Sequence, residues 1–196
     1  MSKFFPKIEN SVPSDVKGKR VKRAYPVVFQ VSAAKAVAQD LVSVMAAVAL
    51  TVATQEITAN LSSPAVPRSL RVKGNQAGVA GNVVVTGTNF QGVEITETFA
   101  LNGANAVEGV KAFKTITQVD LPVQVNAGTD TVSIGAGNNL GLPYKLSHKT
   151  VFLAFRGGTK EGTLPTMTIS EAAIEENTVL LNSALNDTAV DVYLLV

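Results

Sequence analysis

Cysteine is absent from the 196 residues, which excludes disulfides, thiolate nucleophiles and cysteine-ligated metals at once. The same absence leaves the redox compartment open, because a chain without thiols survives on either side of a membrane. Tryptophan is missing too, and aromatic residues make up 6%, so the core has to be built from smaller apolar side chains. Histidine occurs once, at His148. A metal site would therefore rest on carboxylates, which suits Ca²⁺ or Mg²⁺ better than transition metals. The Asp-rich spacing of a calcium loop is absent, and Asp130, Asp187 and Asp191 stand apart. Charge is scarce as well, at 16% of residues against 46% hydrophobic. A surface so poor in charge has to be covered by Thr, Asn and Ser or by neighbouring subunits, and multimeric assembly is the expectation. The longest apolar stretch, Leu41 to Ala53, runs 13 residues, short of the ~20 that a spanning helix needs. No apolar run follows Met1-Ser2-Lys3-Phe4-Phe5-Pro6 as in a secretory leader. A soluble protein made in the cytoplasm, with no membrane partner, is expected.

What charge there is lies unevenly. The chain through Arg23 carries seven basic residues against two acidic ones, a net +5, and the remaining 173 residues are net −3. Residues 1–30 read as an extended basic arm, with Pro6, Pro13, Pro26 and Gly18 and little to bury. Lys17, Lys19, Arg20, Lys22 and Arg23 are its candidate partner-binding residues. They suit a solvated segment or an arm docked on a neighbouring subunit. Direct nucleic-acid contact is disfavoured, because no aromatic stacking platform accompanies the charges.

The remainder, 31–196, reads as a single β domain, an ordinary size for one. Ser32 to about Ala47 is the one helix candidate. Ser32 is a possible N-cap, six alanines favour helix, and Val37, Leu41, Val44, Met45 and Val48 draw one stripe at three- and four-residue steps. Beyond it the pattern turns to β. Gly81 to Pro122 holds short runs of Val, Ile, Thr and Phe between Gly and Asn turns, which predicts an antiparallel meander. Arg68 to Lys73 and further runs at 131–134, 151–155, 167–169 and 179–181 predict more strands. The apolar terminus Asp191 to Val196 predicts a closing one.

The search for reaction chemistry finds no motif. A Ser-His-Asp relay needs only one histidine, but no Gly-x-Ser-x-Gly elbow precedes a helix, and His148 reads as a polar turn residue. Gly135 to Gly141 misses the dinucleotide fingerprint, and Gly157 to Thr163 lacks the Walker spacing. Glycines marking hairpin turns explain both. Glu94 and Glu97, three apart in a strand, point to opposite faces and cannot act as a pair. No cofactor is expected.

The segment Glu94 to Gly103 (EITETFALNG), followed by Lys111-Ala112-Phe113-Lys114-Thr115-Ile116-Thr117, resembles β-rich virion proteins of tailed double-stranded DNA bacteriophages. Ser63 to Arg68 before a strand, Leu140 to Tyr144, and Leu181 to Asn186 ahead of Asp191-Val192-Tyr193 are similar to the same group. That group includes capsid decoration (cement) proteins and tail subunits. The resemblance implies an immunoglobulin-like sandwich of short antiparallel strands with one N-terminal helix and an extended arm. It implies a non-enzymatic decoration protein on the virion capsid surface, with the major capsid protein and copies of itself, as a homotrimer or other homo-oligomer, for partners. A tail-tube subunit is the alternative, and a surface carbohydrate-binding module a more distant one.

Overall fold

The structure is a computed structural model that describes residues 11–13, 17, 20–22, 25–126 and 128–196. It is mainly β, every strand pairing is antiparallel, and no α-helix occurs among the described residues. The strands are β1 (Ser11–Pro13), β2 (Arg20–Lys22), β3 (Pro26–Val31), β4 (Met45–Ala49), β5 (Gln55–Ile57), β6 (Arg68–Gly74), β7 (Asn82–Thr88) and β8 (Glu94–Ala100). There follow β9 (Val107–Glu108), β10 (Thr115–Leu121), β11 (Thr131–Gly141), β12 (Val151–Arg156), β13 (Thr159–Lys160), β14 (Thr166–Thr168), β15 (Thr178–Leu180) and β16 (Val190–Leu195).

They form four sheets, ordered β1-β2, β5-β10-β7-β8, β14-β15-β11-β6-β9 with β4 also on β11, and β13-β12-β16-β3. Two apolar clusters lie between them. In the first, Val83, Val85, Phe99, Val119 and Leu121 of the β7 sheet meet Leu70, Val72, Val132 and Ile134 of β6 and β11. In the second, Val190, Val192 and Leu194 of β16 meet Leu140, Met167 and Val179. The strand β11 runs through both: Val132 and Ile134 fill the first cluster and Leu140 the second. Its register against β6 breaks between Ala136 and Leu140, where one core gives way to the other.

Alternation sets the faces. Along β8, Ile95 and Phe99 are buried while Glu94, Thr96 and Thr98 are exposed, the period-2 pattern of a strand with one wet side. The terminal strand is confirmed, with β16 sitting between β12 and β3 as the centre of its sheet. The meander is not. β7 and β8 form the predicted hairpin, but β9 leaves to pair with β6 and β10 returns to the far side of β7. Residues 26–30, the last of the segment read as an arm, form most of β3.

The helix predicted over about 32–47 does not form. A single 3-10 turn covers Ala33–Lys35, Ser32 makes no side-chain cap, and Met45–Ala49 is a strand. The backbone between them bonds outward instead of to itself. The N–H of Asp40 donates to the carbonyl of Ala136 (3.0 Å) and that of Val44 to Ile134 (3.1 Å). Arg68 Nη1 donates to the carbonyl of Val37 (3.0 Å). The Asp40 carboxylate accepts the N–H groups of Val42 and Ser43 at 2.7 and 2.6 Å. Alanine-rich propensity amounts to tenths of a kcal/mol per residue, and a sheet edge that satisfies the same backbone groups outweighs it.

Candidate interaction surfaces

The ionisable groups are spoken for locally rather than gathered. Asp130, 1% exposed, accepts from the backbone N–H groups of Val125 (2.7 Å) and Asn126 (2.8 Å) and from the side chains of Asn126 and Gln76 (both 2.9 Å). Those donors, Asn126 N–H first, hold its carboxyl well below the usual carboxylate range. Glu97 faces inward with Ile95 and Phe99, away from Glu94. Its Oε1 takes the N–H of Val110 (2.6 Å) and Lys111 (3.3 Å), its Oε2 is buried without a partner, and burial pushes its pKa up. Glu161 accepts the N–H of Ser183 at 2.9 Å and lies 3.8 Å from Arg156. Arg71 pairs with Glu108 across β6 and β9. His148 is exposed, and among the described residues its ring is bonded only to the neighbouring Ser147 hydroxyl at 2.8 Å. Among the described residues no three His, Asp or Glu side chains converge on a point that could hold a metal ion.

The buried cation Arg68, 1% exposed, escaped the sequence reading, which placed it only at the head of a strand. Its Nε donates to the carbonyl of Gly137 at 2.5 Å and its Nη1 to Val37, while Nη2 has no partner. Burial pulls its pKa down to about 10, with the charge of Asp40 working the other way. It is still a cation at neutral pH. A single Arg at the head of an alternating strand carries no local mark of burial.

The two glycine stretches behave differently. Gly157 (φ 57°) and Gly158 (φ 77°) make the β12–β13 hairpin, as the turn reading expects. Gly135, Gly137 and Gly141 lie inside β11, so their reading as turn glycines is corrected. A Cβ on Gly135 would come within 2.4 Å of the Asp40 backbone, and one on Gly137 within 2.3 Å of Ser69 Oγ. They are there to let crossing segments approach the strand.

Of the five candidate arm residues, Lys17 is exposed in a turn, and Arg20 and Lys22 belong to β2. Lys19 and Arg23 lie outside the described residues. Nothing described gathers the five into one cluster.

Two grooves lie along open sheet edges. The first is a groove of about 460 Å³ between β4 and β5, lined by residues 45–48 and 56–60. Each of these strands ends its side of a sheet. The strand β4 stands within Leu41 to Gln55, 15 residues without a single charge, and Val42 and Val52 on this stretch are 59% and 83% exposed, while β5 brings the exposed Glu56 to the groove. The second is a groove of about 450 Å³ along β3, between Phe29 to Val31, the Pro64 to Pro67 segment, and Phe90 with Lys114. Its residues come from four separate parts of the chain, so no sequence pattern could assemble them. Compared with known protein families, curated proteins and solved structures, the chain matches none.

Proposed function

We propose that the chain is a non-enzymatic virion structural protein, a decoration (cement) protein that binds the outer surface of a tailed-phage head and clamps neighbouring capsid subunits. The observation that carries this reading is the uncharged edge strand β4, with Val42 and Val52 of the same charge-free stretch in water. Soluble monomers blunt their open edges with charge or proline. A 15-residue charge-free stretch at an open edge is what a protein surrounded by neighbours tolerates. The immunoglobulin-like sandwich belongs to the same proposal: the β5-β10-β7-β8 sheet and the β4, β11 and β6 ladder would be its two layers, with the uncharged edge at one side. Copies of the chain, as a homotrimer or other homo-oligomer, would meet there. The residues ahead of Tyr25, net +5 through Arg23, would extend along the major capsid protein. Ordering such an arm costs entropy, but many weak contacts repeated by symmetry add up to firm attachment.

The test is co-sedimentation with heads from a virion in which this reading frame is disrupted. The full chain, a chain lacking residues 1–24, and the double variant Val42→Lys, Val52→Lys are compared. Saturable binding by the full chain, weakened in both variants, is expected. Failure of the full chain to bind heads, with rings or tubes formed instead, would move the reading to a tail subunit, whose open sheet edges close a ring.

A further inference from the structure

We propose that the outer edge of β3 docks an acidic, extended peptide segment of a protein partner, added as a strand to the β13-β12-β16-β3 sheet. The ladder fixes which backbone groups are open. Tyr25 and Val196 exchange both of their hydrogen bonds, at 2.8 and 3.0 Å, and the register from there to Val31 and Val190 is unbroken. Hydrogen-bonded pairs alternate along an antiparallel ladder, so Val27, Phe29 and Val31 bond to β16. Val28 and Gln30 then point their N–H and C=O groups away from it. Among the described residues no other group bonds to them, and β3 is the last strand of its sheet. Gln30 is also one of the residues that line the 450 Å³ groove, so the open backbone meets a cleft and not a flat surface.

The walls of that cleft select the occupant. Phe29, Phe90 and the Pro64 to Pro67 segment give it apolar sides, and the prolines offer no competing ladder. Lys35 and Lys114, both exposed, bring two positive charges, and among the described residues no acidic one lines the groove. Lys114 Nζ stands 6.0 Å above the Phe90 ring. The carboxylates bonded to neighbouring side chains are occupied: Asp191 by Gln30 Nε2 at 2.7 Å and Glu175 by Asn89 Nδ2 at 3.1 Å. An extended segment alternating apolar and acidic residues satisfies all of these features together, with backbone pairing for affinity and side-chain pockets for choice. The chain's own arm, net +5 through Arg23, is repelled by the two lysines. A second β3 would set one pair of lysines against another. The occupant is therefore a foreign acidic segment, whether or not it belongs to a capsid subunit.

Panning short linear peptides randomised at every position against the full chain tests this. Recovered binders should be enriched in Asp and Glu at alternate positions between apolar residues. A consensus peptide should lose roughly tenfold or more in affinity for the K35E/K114E variant, where attraction becomes repulsion. It should lose about fivefold or more for Gln30→Pro, which removes one outward N–H. Gln30→Ala, which lacks the side chain but keeps the outward N–H, should retain more affinity than Gln30→Pro, and circular dichroism shows that each variant is folded. The proposal is overturned if no peptide is enriched, if the consensus is neutral or basic, or if K35E/K114E or Gln30→Pro binds the consensus as the parent does. It is equally overturned if the chain dimerises and Gln30→Pro makes it a monomer, since the edge would then belong to a second copy.

Discussion

Asp130 draws four donors onto one carboxylate and thereby ties the 125–131 turn to Gln76. Asn75, next to Gln76, reinforces the tie, donating to the carbonyl of Thr129 at 2.7 Å and accepting the N–H of Thr131 at 2.9 Å. Because the folded carboxyl titrates below an unfolded Asp, near 3.9, its stabilisation is complete above about pH 4 and drains away as the pH falls further. Glu97 has the opposite sign: burial raises its pKa, so its ionisation costs stability above the ordinary glutamate range and acid relieves that cost. In Asp130→Asn the amide N–H₂ faces donors it cannot accept from. The variant should have a lower urea midpoint than the parent at pH 7, and the gap should narrow as the pH falls below about 4, because only in the parent does unfolding then take up a proton at this position. Parallel pH profiles would show that Asp130 contributes nothing through its charge. Glycine supplies the second residue-scale comparison. Gly135→Ala forces a Cβ against the Asp40 backbone and should cost ~1–3 kcal/mol. Gly162→Ala meets no atom within 4 Å and should stay within ~0.5 kcal/mol of the parent. Chemical denaturation of both variants decides, and equal effects would refute the crossing-segment role of Gly135.

At the scale of the element, the segment between Ser32 and Val44 shows where sequence reasoning stops. Its alanines and its apolar stripe are helical by propensity and period, yet the partners that override them lie far along the chain, among them Ser62, Arg68, Ile134, Ala136 and Asp187. No window of neighbouring residues contains that information. Strands such as β8 and β16 were legible because β-favouring and apolar runs between turn residues are written locally. The hairpin at Gly157-Gly158 was legible because a tight turn needs its own residues. The glycines of β11 carry the same letters as turn glycines, and only the close approach of Asp40 and of Ser69 on the neighbouring β6 tells them apart. The candidate surfaces were the least legible, since the β3 groove gathers residues from 29 to 115. Arg68 is the latch of the irregular segment, and Arg68→Met should unfasten it. The carbonyls of Val37 and Gly137 would be left without donors, at ~1–3 kcal/mol for a buried unpaired group, and amide exchange should accelerate selectively over residues 36–44. A variant as stable as the parent, with unchanged exchange there, would mean that the guanidinium is held at no net gain.

Across the whole molecule, two apolar clusters share one strand. β11 gives Val132 and Ile134 to one and Leu140 to the other, with β6 alongside it from Gly74 to Arg68. Loss of either cluster would expose one half of a strand whose other half is still packed, and that cost couples the two. The placement of tyrosine allows the coupling to be read directly. With no tryptophan in the chain, the three tyrosines carry the intrinsic fluorescence, and all of them belong to the second half. Tyr144 packs against the second cluster, Tyr193 lies in β16 with its ring 5.9 Å from Phe155, and Tyr25 bonds to Val196. Phe99, 2% exposed, sits in the first cluster. Phe99→Ala should cost ~3–5 kcal/mol, or a fall of ~2–4 °C per kcal/mol in the thermal midpoint for a chain of this length. If β11 makes the halves one cooperative unit, tyrosine fluorescence and far-ultraviolet circular dichroism shift together, as a two-state transition requires. A tyrosine transition that stays at the parent's midpoint while the dichroism splits into two steps would separate the halves. β11 would then be a shared border between two folding units and not the strand that joins them.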